Sequence, residues 1–260
     1  MPTFISNGAE IHYQTFGDAS KPALVFSNSL GTHLSMWQAQ IEFFQSAYYV
    51  IAYDTRGHGQ SAAPQGPYTL QQLGEDVIHL LDHLQVQQAA FCGISMGGLT
   101  GQWLAIHHPE QFSHVVVCNT AAKIGQDQAW LDRAALVREQ GLAPIATTAA
   151  GRWFTEPFIQ SQAATVAQLA TNLEAGSAEG YASCCEALAK ADLREQINTI
   201  SVPVLIIAGQ QDPVTTVADG QFMQEQIKGS QLFEINASHI SNVEQPEDFN
   251  QALLKFIQAA

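Results

Sequence analysis

A chain of 260 residues, 46% hydrophobic and 13% charged, is long enough to bury a one-domain α/β core and too apolar to be disordered. Its 10 basic and 24 acidic residues give a net charge of −14, which argues against a nucleic-acid partner, because phosphate binding needs clustered Lys and Arg. The acidic balance is read as solubility.

The N-terminal "MPTFISNGAE" lacks a basic region followed by an apolar one, and no apolar run approaches the roughly 18 residues of a membrane span. A cytoplasmic location without membrane contact is therefore expected. Cys92, Cys118, Cys184 and Cys185 form no C-x-x-C pair and no Cys/His spacing of a metal site, so no metal is expected. Cys92 and Cys118 fall in apolar runs, where a thiol serves as a small buried hydrophobe.

In chain order, alternating runs on either side of Asn7-Gly8 predict a hairpin. Runs at 23–29 and 49–54 predict strands that are nearly continuous in apolar residues, as parallel strands covered on both faces are. Next, Leu70, Leu73, Val77, Leu80 and Leu84 repeat at helical spacing behind Thr69 and Gln72, which are placed as a capping box. A strand at 89–95 runs through "FCGISMGG" into a helix that stops by Pro109. Another strand is expected at 114–120, and further strands at 202–209 and 231–237. The last helix opens on Pro246, Glu247 and Asp248, residues that suit a helix N-terminus. Between Ala121 and Ala191 the chain is rich in Ala and Gln and lacks a convincing strand. The expected architecture is α/β: a mostly parallel sheet with an N-terminal antiparallel hairpin and helices on both faces. Residues 1–120 and 192–260 would form its core, with 121–191 as a helical cap insertion in one domain overall.

G-x-S-x-G between a strand and a helix places Ser95 on a turn so sharp that its backbone is strained, with small flanking residues preventing collisions. A serine hydroxyl needs a base, and His239 follows the final strand and precedes the final helix. His79, His83, His107 and His108 lie in or at the ends of helical patterns, where packing or solvated roles are expected. Asp212, just past a strand in "LIIAGQQDPVT", supplies the acid that would orient the histidine. An oxyanion needs backbone donors, for which Met96 and Leu30 are the candidates. Asp54, Arg56 and His58 in "YDTRGHGQS" are read as structural, with Asp54 and Arg56 bonding neighbouring backbone. The spacing of Gly57 and Gly59 does not fit a nucleotide-binding G-x-G-x-x-G.

Together, "FSNSLGTHLSMW", "YDTRGHGQS", "GISMGG", "IAGQQDPVT" and "ASHISNVEQPE" resemble the α/β-hydrolase superfamily, whose triad order Ser, Asp, His is kept here. Asn28-Ser29 stands where that superfamily usually carries His-Gly. With "CNTAAKIGQDQAWLDRAALVREQG", "RWFT" and "GYASCCEALAKADLRE", it resembles the 3-oxoadipate enol-lactonases more narrowly. The resemblance implies hydrolysis of 3-oxoadipate enol-lactone to 3-oxoadipate in bacterial aromatic degradation, with no cofactor. The mechanism would use Ser95, His239 and Asp212, through an acyl-enzyme or by direct attack of water. The substrate would be a small lactone bearing a carboxylate. Arg133 is the candidate partner for that carboxylate, and Trp130 the candidate wall over the ring. A surface arginine and a tryptophan of the cap core are the alternative. The triad alone also fits a carboxylesterase, a perhydrolase-type enzyme, a carbon–carbon bond hydrolase or a noncatalytic ligand-binding relative. A dehalogenase would place Asp at position 95, and a dienelactone hydrolase Cys.

Overall fold

The apolar runs assemble into one eight-stranded sheet in the computed structural model, which describes residues 2–259. β1 (Thr3–Ser6) and β2 (Ala9–Phe16) form the antiparallel hairpin. Its turn residues Asn7 and Gly8 sit at φ 46° and 78°, the left-handed conformation that a tight hairpin requires. Then follow β3 (Ala23–Ser27), β4 (Tyr49–Tyr53), β5 (Ala89–Ile94), β6 (Phe112–Cys118), β7 (Val204–Gly209) and β8 (Gln231–Ile235). The spatial order is β1-β2-β4-β3-β5-β6-β7-β8, and every pairing after β2–β4 is parallel. Every residue of β3, β4, β5 and β7 is buried, which accounts for their unbroken apolar sequences. β8 lies at the sheet edge and is largely exposed.

The helices before β6 are α1 (Gln38–Phe44), α2 (Leu70–His83) and α3 (Met96–His107). Between β6 and β7 come α4 (Asp127–Gln140), α5 (Ala143–Thr147), α6 (Ala149–Trp153), α7 (Glu156–Ser161), α8 (Ala163–Glu174) and α9 (Ala178–Lys190), with no strand among these described residues. α10 (Val217–Gln226), α11 (Ser241–Glu244) and α12 (Pro246–Ile257) complete the chain. α2, α3 and α10 cover one face of the sheet, and α1 and α12 the other. The capping box of α2 forms as expected: Gln72 N–H donates to Thr69 Oγ1 at 3.1 Å, and Thr69 N–H to Gln72 Oε1 at 3.0 Å.

Strand order decides where a site can form. β3 is flanked by β4 on one side and β5 on the other, so the chain reverses its direction of winding there. The loops after β3 and β5 therefore diverge and open a crevice at the carboxyl end of the sheet. Ser95 follows β5, and Asn28 to Leu30 follow β3.

The loop after β4 departs from expectation in one respect. Arg56 does not bond neighbouring backbone. It crosses to α2, where its Nε and Nη2 donate to the two oxygens of Asp76 at 2.6 and 2.5 Å. Both side chains are buried, at 2% and 1% exposure, and Ser6 Oγ also donates to Asp76 Oδ1. Asp54 does take backbone partners, accepting from Leu34 N–H at 2.8 Å and Gln60 N–H at 2.9 Å. The helix-borne histidines serve packing: His83 stacks on Phe4, while His107 and His108 lie against Trp103. Cys92 and Cys118 are buried free thiols, 3.8 Å apart.

Breaking a buried ion pair from one side strands the other charge. Arg56→Met should cost about 3–5 kcal/mol of stability in equilibrium urea unfolding. The double variant Arg56→Met/Asp76→Leu should recover much of that loss. A single variant within about 1 kcal/mol of the parent would mean that the pair does not hold the β4 loop to α2.

Candidate active site

Ser95 stands between β5 and α3 at φ 57° and ψ −113°, a conformation that non-glycine residues avoid. A Cβ on Gly93 would lie 2.3 Å from Gly97 O, and one on Gly97 would lie 2.4 Å from Ser27 O. Only glycine fits at either position, which is the physical content of the motif. The strained residue is pinned from both sides: its N–H donates to Cys118 O at 2.9 Å, and its carbonyl accepts from Thr120 Oγ1 at 2.8 Å. Ser95 Oγ makes no hydrogen bond among the described residues. The residue lines a cavity of about 260 Å³ together with Leu30, Trp130, Arg133, Arg152 and His239.

His239 lies in the loop between β8 and α11, with Nδ1 2.8 Å from Asp212 Oδ2. Asp212 is saturated with other donors: Val214 N–H at 2.8 Å, Thr215 N–H at 3.1 Å, Thr215 Oγ1 at 2.9 Å and Asn119 Nδ2 at 3.1 Å. Burial works to raise its pKa. The charge and hydrogen bond of His239, with the Val214 and Thr215 amides, outweigh burial and hold the carboxyl below its ordinary value. An ionised Asp212 can only accept, so Nδ1 of His239 carries the proton and Nε2 is the free ring nitrogen. Ser95 and His239 thus line one cavity, and Asp212 is hydrogen-bonded to that histidine, the three coming from beyond the ends of β5, β8 and β7.

Three supports of this arrangement escaped the sequence reading. Asn119, at φ 43° just past β6, donates from Nδ2 to both Asp212 and Ser238 O, while its Oδ1 accepts from Ser241 Oγ at 2.6 Å. One side chain therefore binds the acid loop to the histidine loop. Its only sequence signal is a polar residue at the end of an apolar strand. The second is Glu244, buried at 7% exposure, whose Oε2 accepts from Ser238 N–H at 2.9 Å and whose Oε1 accepts from Thr155 Oγ1. Beyond His239, Ile240 N–H donates to Trp153 O at 3.0 Å. Both neighbours of the histidine are thereby tied to the 153–155 segment or to the carboxylate that reaches it.

The β3 loop, whose Ser29 and Leu30 also line the cavity, is held by Asn28. Its Nδ2 donates to Tyr53 O at 2.8 Å, its Oδ1 accepts from Trp37 Nε1 at 3.0 Å, and its carbonyl accepts from Gly97 N–H at 3.1 Å. Asn28 is thus a buried tie between three elements. Among the described residues, the N–H groups of Leu30 and Met96 have no acceptor, whereas those of Gly31, Thr32, Ser95 and Gly97 do.

The third is a second cation. The chain has five arginines. Arg56, Arg138 and Arg194 pair with carboxylates. The remaining two, Arg133 and Arg152, have no carboxylate partner among the described residues, and both line the cavity. Arg133 lies 4.8 Å over the ring of Trp130, whose Nε1 donates to Ile124 O at 2.6 Å. Arg152 donates from Nη2 to Ile145 O at 3.0 Å and from Nη1 to Thr148 Oγ1. Burial, with Arg133 nearby, pushes its pKa down, though a guanidinium stays charged. Arg152 was legible only as one of few basic residues, beside an aromatic pair in "GRWFT". No cluster of three or more His, Cys, Asp or Glu among the described residues could hold a metal ion, and no helix among them is long and apolar enough to cross a membrane.

Comparison with known proteins agrees with this geometry. Residues 22–246 match the family model of the alpha/beta hydrolase fold. The chain is 66% identical over 251 residues to 3-oxoadipate enol-lactonase 2 of Acinetobacter baylyi, covering 96% of this chain and 94% of that protein. It is 47% identical over 252 residues to 3-oxoadipate enol-lactonase 1 of the same organism, covering 97% and 94%. The crystal structure of the enol-lactonase from Burkholderia xenovorans superimposes with a TM-score of 0.97 at 42% identity, covering 99% of this chain and 100% of that one. With fold, strand order and sequence in agreement, the chain belongs to the α/β-hydrolase family, in the group of the 3-oxoadipate enol-lactonases.

Proposed function

We propose that this chain hydrolyses 3-oxoadipate enol-lactone to 3-oxoadipate in bacterial aromatic degradation, with Ser95 as nucleophile, His239 as base and Asp212 as its orienting acid. The observation that carries the reading is a single cavity lined both by Ser95 and His239 and by two arginines free of carboxylate partners among the described residues. The likeness to the two Acinetobacter enol-lactonases supports the same substrate.

In the mechanism, His239 Nε2 takes the proton as Ser95 Oγ attacks the lactone carbonyl. The developing oxyanion is received by the unengaged N–H groups of Leu30 and Met96, the latter at the positive end of α3. Collapse breaks the ring C–O bond and expels an enolate, which takes the proton from His239 and tautomerises to the ketone. Water, deprotonated by His239, then attacks the acyl-serine; the bond to Ser95 Oγ breaks, His239 returns the proton to Oγ, and the second carboxylate is freed. The enolate is a better leaving group than an alkoxide, so the chemical burden falls on forming the tetrahedral intermediate.

Residues 121–191 act in this reading as a cap that supplies Trp130, Arg133, Arg152 and Trp153 to the cavity wall. Arg133 and Arg152 hold the carboxylate on the side chain of the ring, and Trp130 covers the ring's flat face. A local pair of cations offsets the repulsion that a chain of net charge −14 would exert on an anionic substrate. The cytoplasmic location is supported by four cysteines that are all free thiols.

Hydrolysis of freshly generated enol-lactone, followed in the ultraviolet, should exceed hydrolysis of p-nitrophenyl esters by at least an order of magnitude in kcat/KM. Ser95→Ala should lower kcat on the order of 10⁴-fold or more and abolish labelling by a fluorophosphonate probe. A preference for simple esters would make the chain a general esterase, and folded protein that is neither labelled nor active would make it a binding relative.

The arginine assignment has its own signature. A charge-assisted hydrogen bond contributes about 1.5–3 kcal/mol, so Arg133→Ala and Arg152→Ala should each lower kcat/KM for the lactone roughly 10- to 100-fold, mainly through KM. A neutral p-nitrophenyl ester should change by less than about threefold. Equal losses on both substrates would sink the carboxylate role.

A further inference from the structure

The loop after β4 holds a histidine that the proposed chemistry does not use. His58 is buried at 6% exposure and lies beside the loop that carries Leu30. Its Nε2 is 2.9 Å from Gly31 N, and its Nδ1 is 3.3 Å from Arg56 O. A backbone N–H can only donate and a carbonyl can only accept, so a single protonation state satisfies both contacts. The ring must be neutral, with the proton on Nδ1 and the lone pair of Nε2 directed at Gly31. The other tautomer, or the cation, would set two N–H groups face to face. Burial holds the pKa of His58 below the ordinary histidine value and favours the neutral form.

Gly31 is also closely packed by the helical insertion. It sits at φ 80°, and a Cβ there would come 2.7 Å from Leu173 Cδ1 and 3.1 Å from Tyr181 Cε2, both residues of the cavity wall. Three residues further on, Leu34 N–H is bound by Asp54 Oδ1 at 2.8 Å. The 30–34 loop is thus gripped at two points by the 54–58 segment, which Arg56 in turn anchors to α2. Immediately before the first grip lies Leu30, whose N–H has no acceptor among the described residues.

We propose that His58 is a positioning residue for the oxyanion: by accepting from Gly31 N–H it fixes the turn that leaves Leu30 N–H free to face the cavity. The proposal rests on the serine-hydrolase reading above. It extends that reading to a residue that touches neither substrate nor triad. The loop after β4 then acts as a template for the loop after β3, its neighbour in the sheet.

The test uses the full chain and two variants. His58→Ala removes the acceptor, and kcat for both the enol-lactone and p-nitrophenyl acetate should fall roughly 10- to 100-fold with KM within about threefold. His58→Gln puts an amide oxygen near the position of Nε2 and should restore kcat to within about fivefold of the parent. In the parent, nitrogen-15 NMR of the imidazole should find Nε2 unprotonated and the proton on Nδ1. The proposal falls if folded His58→Ala keeps kcat within threefold, if His58→Gln is as impaired as His58→Ala, or if Nε2 carries the proton. Should both variants fail to fold, the tautomer in the parent decides. Ser95→Ala separates the two levels: full activity in it overturns the serine-hydrolase reading itself. An inactive Ser95→Ala beside an unimpaired His58→Ala overturns only the role of His58.

Discussion

The backbone of Ser95 is the constraint on which the rest of the site depends. At φ 57° and ψ −113° it turns the chain from β5 directly into α3, and such conformations cost on the order of 1–3 kcal/mol. The fold holds it there by removing every alternative. Glycines at 93 and 97 let two backbone segments approach to distances that a Cβ would forbid, and hydrogen bonds from both sides fix the peptide groups of the serine itself. The result is a hydroxyl held at a helix N-terminus and over a crevice created by strand order. Gly97 belongs to both features, since its N–H is bound by Asn28 O in the loop after β3. The serine turn and the loop after β3 are therefore one mechanical unit.

A second constraint is electrostatic. In a chain with 24 acidic and 10 basic residues, an arginine without a carboxylate partner is uncommon enough to need a reason. Three of the five arginines are paired, one of them in a fully buried bridge. Keeping Arg133 and Arg152 clear of acids while both face one cavity is costly in desolvation and like-charge repulsion. Repulsion between them is consistent with Arg133 leaning over Trp130, whose ring face offers partial compensation without neutralising the charge. An anionic ligand would supply the remainder, and both arginines stand on the helical insertion rather than on the sheet.

Most of the fold was legible in the sequence because parallel strands buried on both faces leave uninterrupted apolar runs, and because Thr69/Gln72 and Asn7-Gly8 mark local geometry with few alternatives. β8 was less sharply written: it is an edge strand, exposed at most positions, and its pattern is correspondingly weak. Ser95, Asp212 and His239 could be named because each stands just past a strand, where chain order alone limits the candidates. Asn119, Glu244 and Arg152 could not. Asn119 joins residues 93 and 119 positions away, and Glu244 reaches Thr155 across 89. Contacts at such separations have no local pattern, since nothing near Asn119 in sequence records what it will meet. Arg56 was misread for the same reason: a loop arginine bonding nearby backbone and one pairing with a carboxylate 20 residues on look alike in sequence.

These long-range ties explain how a site assembled from six separate loops keeps ångström-scale order. The loops after β3, β4, β5, β6, β7 and β8 do not rest independently on the sheet. Asn119 joins the acid loop to the histidine loop, Asn28 joins the β3 loop to the serine turn and to β4, and Glu244 joins the histidine loop to the segment that bears Arg152 and Trp153. Each is a buried polar side chain engaged on at least two sides, so loosening any one leaves a buried donor or acceptor without a partner. That penalty, commonly about 1–3 kcal/mol per group, makes the ordered arrangement the cheapest one available. It also means that the residues lining the cavity are held by Asn28, Asn119 and Glu244, which do not line it. Arg152 and His239 are thereby joined through Trp153 O, Ile240 and the histidine loop, a path of direct hydrogen bonds and adjacent peptides that runs from the helical insertion to the proposed base.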